Sequence, residues 1–313
     1  MGGYIKLLLV ILHHTKIEIF INGMHVLLPM KERVTITLDA NLIKQIDKRI
    51  DGTDIKNRSQ EIELLLSEAL GTNIPSKAVL LVGGLGTRLR PLTTSTPKAL
   101  LPVHGKPITE HIFDLLKKYG IRDVILCVGY LKEKIIDHFG DGSRFGMNVT
   151  YIEEDEPLGT AGPLRLAKKY LNESFIVSNG DELKDVNIAR MFRLHKRKGA
   201  LGTIALTTVD EPSNYGVARL DGSRIIEFVE KPKNPPSNLI NAGFYILEPE
   251  IIDMIPKGFS MLEKDVFPKL AEQGMLRGFP FSGQWFDIGT IERYKMTEKQ
   301  WKGLSPIIRE DND

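Results

Sequence analysis

The chain of 313 residues carries one cysteine, Cys127. No disulfide can form within it, and the expected setting is reducing cytoplasm. Cys127 lies inside the apolar run Val124-Ile125-Leu126-Cys127-Val128, where a thiol reads as a buried strand side chain rather than a nucleophile. An excess of charge of one sign is also missing. The net charge of +2 gives the whole chain no bias towards nucleic acid or an anionic surface. The run Leu7 to Leu12 is far too short to span a bilayer. No small-x-small cleavage site follows it, which argues against a signal peptide, and no membrane partner is expected. The seven histidines include no pair at zinc spacing with a third ligand nearby. Two common phosphate-binding signatures are absent as well. No Gly-x-x-x-x-Gly-Lys-Ser/Thr occurs, and Gly84-Leu85-Gly86-Thr87-Arg88-Leu89 ends in leucine where the dinucleotide fingerprint needs a small residue.

What is present centres on Leu81-Val82-Gly83-Gly84-Leu85-Gly86-Thr87-Arg88-Leu89-Arg90-Pro91-Leu92, continued by Thr96-Pro97-Lys98. The apolar run from Lys77 to Val82 reads as a buried parallel strand that stops in three glycines within four positions. Glycine admits positive φ and lets a bulky group approach with no Cβ in the way. Successive amides in such a turn form an anion-binding concavity, and the helix expected next would add the positive end of its dipole. Arg88, Arg90 and Lys98 bring cations to the same rim. The expected occupant is a polyanion, a nucleoside triphosphate above all.

Downstream, strand-like runs (Ala78–Val82, Val124–Val128, Val149–Ile152, Phe175–Ser178) alternate with helix-like ones (residues 108–118, 131–139, 162–169 and 186–198). That alternation predicts an α/β fold with a mostly parallel sheet and helices on both faces. Ligands in such folds sit outside the carboxyl ends of the strands, where the glycine loop falls. From residue 201 the runs 203–208, 217–220, 225–229 and 240–247 are richer in strand, an expected antiparallel extension.

The full string Gly-Gly-x-Gly-Thr-Arg-Leu-x-Pro-Leu-Thr with a later Pro-Lys resembles the signature of the sugar-1-phosphate nucleotidyltransferases. Five further motifs resemble the same family: Glu156-Pro157-Leu158-Gly159-Thr160-Ala161-Gly162, Asn179-Gly180-Asp181, Tyr215-Gly216-Val217 with Asn241-Ala242-Gly243, Glu230-Lys231-Pro232, and Phe286-Asp287-Ile288-Gly289-Thr290. The resemblance covers about Lys77 to Trp301 and implies a Rossmann-like, GT-A-like domain over 77–313. It implies transfer of a nucleotidyl group from a nucleoside triphosphate to a sugar 1-phosphate, with pyrophosphate leaving. Nucleotide binding would fall to Leu81, Gly83, Gly84, Gly86, Thr87, Arg88, Gly159 and Thr160, the last also able to cap the helix that follows. The sugar phosphate would meet Gly216, Glu230, Lys231 and Asn241. Asp181 and Asp287 would hold Mg²⁺, and Arg88, Lys98 and Lys231 would carry the chemistry. Asp287-Ile288-Gly289 and Leu158 to Gly162 lean towards the mannose-1-phosphate guanylyltransferase-like branch, while thymidylyl- and uridylyl-transferring relatives share most of the pattern.

Ahead of this domain, residues 1–29 read as an extension without expected structure, and 73–76 as a linker. Between them, Arg33 to Leu38 alternates polar and apolar as a strand does. Asp39 can cap a helix with Leu42, Ile43, Ile46 and Ile50 on one face, and Asn57 or Ser59 can cap a second. So short a strand–helix–helix unit needs a partner to close a core. It resembles a ribbon–helix–helix module over 30–72, which implies homo-oligomerisation through this segment. In that family the strand's polar side chains, here Arg33, Thr35 and Thr37, read bases in DNA. Residues 30–72 sum to a charge of −1, whereas duplex binding leans on a basic face. Pairing alone and DNA binding both stay open. A sugar-nucleotide-sensing transcriptional regulator is the competing function, and the presence of Lys98, Asp181 and Lys231 favours an enzyme.

Overall fold

A computed structural model describes residues 9–12, 16–21, 24–29, 35–50, 57–69 and 74–306. The chain divides into two compact units, Met1–Ile50 and Asp51–Asp313. In the first, β1 (Leu9–Leu12), β2 (Lys16–Ile21) and β3 (Met24–Pro29) pair antiparallel in sequence order. Residues 1–29 were expected to be unstructured, so these strands are a departure. The signal was there: Lys16-Ile17-Glu18-Ile19 alternates, and Asn22-Gly23 stands between runs whose register pairs Ile21 with Met24. Asn-Gly between alternating runs is the strongest short-range hairpin signal.

Helix α1 (Ala40–Lys48) starts where expected, with the Asp39 carboxylate accepting from the Asn41 amide at 2.8 Å. Helix α2 (Arg58–Ala69) is capped by Asn57, whose Oδ1 accepts from the Gln60 amide at 3.0 Å. The expected strand 33–38 is not formed where it is described: Thr35, Thr37 and their neighbours to Asp39 belong to no strand, and Arg33 lies outside the described residues. A strand needs a neighbour to supply its ladder, and among the described residues none pairs with this segment.

The second unit is built on a nine-stranded sheet. Strands β4 (Lys77–Leu81), β7 (Asp123–Val128), β8 (Asn148–Glu153) and β9 (Phe175–Asn179) run parallel in the order β9-β4-β7-β8. The small ladder of β5 (Pro102–Val103) and β6 (Lys106–Pro107) lies outside this sheet. Helices α3 (Ile108–Lys118), α4 (Lys132–Phe139), α5 (Gly162–Leu166) and α6 (Ile188–Arg197) provide the connections. β14 (Leu239–Leu247) joins antiparallel to β9, and beyond it lie β12 (Gly216–Asp221), β13 (Arg224–Glu230), β15 (Leu276–Pro280) and β11 (Gly202–Thr208). The expected α/β fold is present, its parallel strands β9-β4-β7-β8 and its antiparallel extension joined in one mixed sheet.

Alternation along β4 explains why its run is wholly apolar from Ala78 on. Ala78 and Leu80 face a core with Ile112, Phe113, Leu116 and Phe139, whereas Val79 faces Leu164, Phe267 and Leu270 on the other side. A strand covered on both faces has no solvent side to mark with polar residues. Cys127 is fully buried on β7, and burial pushes its thiol pKa up.

Two elements bring distant segments to the sheet's carboxyl edge. β10 (Glu182–Lys184) follows β9 and pairs antiparallel with β16 (Trp285–Asp287), opposing Glu182 to Asp287. Helices α7 (Ile251–Met254), α8 (Phe267–Glu272) and α9 (Ile291–Gln300) complete the unit, with a π-helical turn over Leu262–Val266.

Candidate active site

β4 and β9 are neighbours in the sheet, and the chain leaving each runs into one cleft of about 410 Å³. Its floor and rim bring together Leu81, Gly83, Gly84, Gly86, Thr87 and Arg88 from the glycine loop, with Lys98 and Asp181. Gly159 and Thr160 line it from the other side of the sequence. The position, outside strand ends where the connections diverge, is the one such sheets reserve for ligands.

Gly86 adopts φ +59°, and a Cβ there would come within 2.9 Å of the Thr93 methyl. The turn itself therefore requires glycine at 86. Gly84 differs: no atom lies within 4 Å of where its Cβ would stand. Nothing in the protein needs glycine at 84, so the space it leaves serves whatever enters the cleft.

The helix expected after the loop is a single 3₁₀ turn over Thr87–Leu89. Pro91 and Pro97 stand close behind it, and proline cannot continue a hydrogen-bonded helix. The cations at this rim are Arg88 and Lys98, with little helix dipole behind them. Arg90, expected on the same rim, is exposed and lies outside the cleft lining.

Lys98 Nζ donates to Asp181 Oδ2 at 2.7 Å. Burial would raise the Asp181 pKa, but Lys98, by charge and hydrogen bond, with Lys184 and Arg88 beyond it, holds the carboxyl below its usual range. It is thus an anion at neutral pH beside a cation. Behind it, Glu182 and Lys184 form a pair at 3.1 Å, both nearly inaccessible. Lys184 also donates to the Gly243 carbonyl at 2.8 Å, and Trp285 Nε1 donates to Glu182 at 3.1 Å. Burial raises the Glu182 pKa, Lys184 opposes that, and Asp181 and Asp287 on either side push it further up.

The register of β10 on β16 sets Asp287 opposite the residue after Asp181, and the Ile288 amide donates to the Asp181 carbonyl at 3.1 Å. The two aspartates, far apart in sequence, are neighbours along this ladder. Their carboxylates have different partners: Asp287 accepts from Arg293, with the Tyr215 hydroxyl at 3.5 Å, and lines an adjoining depression of about 390 Å³. A Cβ at Gly289, which lines the main cleft, would meet an Asp287 oxygen at 2.8 Å.

Among the described residues no group of three or more acids, histidines or cysteines could hold a metal by itself. Two carboxylates are nevertheless the donor set Mg²⁺ uses when substrate phosphates and water complete its shell. Asp181, anionic with Oδ1 not engaged by Lys98, fits that role in the main cleft. Asp287, expected as the second ligand, is opposed to Glu182 in the register, pairs with Arg293 and lines the other depression, so its carboxylate is not placed beside that of Asp181.

The residues expected to meet a sugar phosphate lie outside the main cleft's lining. Gly216 pairs with Glu230 across β12 and β13, and a Cβ at 216 would meet a Glu230 oxygen at 2.9 Å. Lys231 has φ +50° with its amide donating to the Tyr215 carbonyl at 2.9 Å, and its side chain is exposed. A non-glycine residue held there is uncommon and concentrates at functional sites. Asn241 is buried, and its amide is used internally: Nδ2 donates to Tyr245 at 2.8 Å and Oδ1 accepts from the Gly243 amide at 2.9 Å.

Thr160 does not cap α5, whose N-cap is Ala161 with no side-chain bond. Its hydroxyl instead donates to Glu263 at 2.5 Å and accepts from the Leu262 amide at 2.9 Å. Tyr245 donates to the other Glu263 oxygen at 3.2 Å, so the loop carrying Thr160 is bonded through Glu263 and Tyr245 to Asn241. A tertiary partner outbid the local cap. Sequence reading missed Glu263, Lys184, Arg293 and Glu154, the last accepting from the Leu158 amide at 3.0 Å beneath the glycine loop. No motif marks them: Glu263 and Lys184 act through Thr160 and Gly243, distant in sequence, and Arg293 and Glu154 are ordinary charged residues until the fold sets them at the cleft and its adjoining loops.

Fold and cleft together define an α/β domain with a glycine-walled cleft at the strand ends, lined also by Arg88 and Lys98. Residues 77–302 match the nucleotidyl transferase family, and residues 32–72 match the ribbon-helix-helix protein, copG family. The chain belongs to the nucleotidyl transferase family. It is similar to mannose-1-phosphate guanyltransferase 2 of Candida glabrata, 44% identical over 220 residues, which are 68% of this chain and 61% of that protein. Mannose-1-phosphate guanyltransferase beta-B of Xenopus laevis is 44% identical over 219 residues, again 68% and 61%. The chain thus spans about three fifths of the length of these relatives. Among solved structures, a putative glucose-1-phosphate thymidylyltransferase from Bacillus anthracis, in complex with a sucrose, superposes with a TM-score of 0.67 at 29% identity. That match covers 71% of this chain and 94% of the other.

Proposed function

We propose that this protein is a sugar-1-phosphate nucleotidyltransferase that joins a guanylyl group from GTP to mannose 1-phosphate. The observation that carries the reading is the cleft in which the glycine loop, Arg88, Lys98 and Asp181 converge with Gly159 and Thr160. The names of the curated relatives supply the choice of base and sugar.

No side chain need activate the nucleophile, because a sugar phosphate is already anionic at neutral pH. The barrier lies in bringing two anions together in line, which positioning and fixed positive charge lower. A sugar-phosphate oxygen attacks the α-phosphorus, the new O–P bond forms as the α–β bridging bond breaks, and pyrophosphate leaves with both electrons of that bond. The loop amides and Arg88 hold the β- and γ-phosphates. Lys98 supplies positive charge at the α-phosphate, Lys231 orients the attacking phosphate, and Glu230 accepts from sugar hydroxyls. Asp181 and Asp287 would hold Mg²⁺, which would supply positive charge against the phosphates.

Pyrophosphate release from a panel of nucleoside triphosphates and sugar 1-phosphates, with Mg²⁺ and with chelator, tests the assignment. GTP with mannose 1-phosphate is expected to be the best pair, and chelator to abolish release. Lys98→Ala is expected to lower kcat about a hundredfold or more with its fold intact. Near-normal turnover by that variant would refute Lys98's role.

For the amino-terminal module, the family match at 32–72 supports homo-oligomerisation. The same match keeps a second reading alive, in which Arg33, Thr35 and Thr37 bind DNA and the catalytic domain acts as a sensor. A gel shift at two salt concentrations separates the two: DNA binding predicts a salt-sensitive shift, and its absence leaves pairing as the module's role.

A further inference from the structure

Phe259 is 65% exposed, the most exposed of nine large apolar side chains in contact with solvent among the described residues. Scattered apolar residues on a surface are ordinary. Phe259 and Leu85 differ from the rest of the nine because both line the phosphate cleft. Leu85, on the glycine loop itself, is 49% exposed.

Phe259 is outward-facing on a fixed backbone. The Ser260 amide donates to the Leu158 carbonyl and the Ala161 amide donates to the Ser260 carbonyl, both at 3.0 Å. Gly159 runs so close, at φ +77°, that a Cβ on it would strike the Ser260 carbonyl oxygen. Ser260 is fully buried while its neighbour Phe259 stands out. The strap holding Phe259 is therefore bonded to the loop that carries Gly159 and Thr160.

The cleft's charge is accounted for without these two residues. Loop amides, Arg88 and Lys98 face a polyanion, and an apolar side chain offers a phosphate nothing. A flat, apolar, π-faced group belongs against Phe259, and a nucleoside triphosphate has one such part. We propose that Phe259, with Leu85, forms an apolar clip for the nucleobase. The inference deepens the nucleotidyltransferase reading and rests on it. Stacking is tolerant of base identity because every base has a π face, so Phe259 contributes affinity for nucleotides in general and the choice among bases is made elsewhere.

The test uses the full-length protein, Phe259→Ala and Phe259→Trp, titrated calorimetrically in Mg²⁺ buffer with GTP, UTP and inorganic triphosphate. Phe259→Ala is expected to weaken GTP and UTP about tenfold or more by a similar factor, and Phe259→Trp to restore both. Inorganic triphosphate, which has no base, is expected to bind all three proteins alike. In steady state the Phe259→Ala loss should fall on KM for the nucleotide, leaving kcat and KM for the sugar phosphate unchanged. Unchanged nucleotide affinity in Phe259→Ala, or an equal loss for inorganic triphosphate, overturns the clip. Wild-type protein that binds nucleotides through Phe259 but transfers to no sugar phosphate overturns the enzymatic reading and upholds the clip. Wild-type protein that binds none of the three ligands overturns both.

Discussion

Gly159 illustrates how one residue can serve structure and ligand together. Its positive φ is a conformation that L side chains rarely adopt, and the strap bearing Phe259 occupies the space a methyl group would need. Gly159→Ala is therefore expected to be destabilising twice over, by backbone strain of about 1 kcal/mol and by displacement of Ser260. The expected readouts are a Tm lower by a few degrees and a raised KM for the nucleotide. Gly84→Ala, where the protein leaves open space, should melt as the wild type does and still bind nucleotide poorly. A Gly84→Ala variant that binds nucleotide normally would show that the space at 84 is not used by the ligand. Asp181 teaches a related lesson: burial argues against its charge, and Lys98 at 2.7 Å overrides burial.

Among the elements, α6, β11 and β14 meet at a polar clamp beneath the sheet. His195 of α6 is fully buried, and burial lowers its pKa despite Glu248. It is neutral at pH 7, with its ring contacting Thr203 of β11 at 2.8 Å and Glu248, just past β14, at 3.0 Å. With Nε2 protonated it donates to Glu248, and Thr203 donates to Nδ1. Lys196 and Ser174 also donate to Glu248, at 2.7 and 2.8 Å. Burial opposes ionisation of Glu248, but His195 and Lys196 bring its pKa from 4.5 down to about 2. A carboxyl whose pKa falls on folding stabilises the fold above its unfolded pKa and loses that contribution as pH falls through the folded one. The contribution is of order 2–3 kcal/mol and should disappear between about pH 4.5 and 2. In urea titrations, Glu248→Gln is expected to be less stable than wild type at pH 6, with the difference narrowing towards pH 3. A gap that stays constant with pH would mean the clamp acts by packing rather than charge.

At the scale of the whole molecule, the segment Thr35–Asp39, which belongs to no strand, precedes α1, on which Leu42 is 49% exposed; Ile36 is exposed to the same extent. Closure of that segment by a second copy predicts a dimer or higher oligomer in sedimentation, with the double variant Ile36→Asp, Leu42→Glu shifted to monomer. Pyrophosphate release by that variant should persist, because the cleft is lined entirely by residues 81–289. A wild-type chain that sediments as a monomer at micromolar concentration would remove oligomerisation from the module's role. No helix among the described residues is long and apolar enough to cross a membrane.

The alternation of the main strands and helices between β4 and β14, the caps Asp39 and Asn57, and the glycine loop with Arg88, Lys98 and Asp181 were legible in the sequence. Each depends on period, composition or spacing over a few residues, which the chain displays directly. Residues 1–29 could have been read further, because alternation and Asn22-Gly23 already specified a hairpin. Other features waited on tertiary structure: Thr160 bonded to Glu263 rather than to its own helix, Asp287 set opposite Glu182 by the β10–β16 ladder, and Lys184 beneath them. These contacts join residues 60 or more positions apart, or place an ordinary charged residue where burial gives it a role. Local sequence fixes what a segment can form, whereas which distant charges and apolar faces meet is decided only when the sheet assembles.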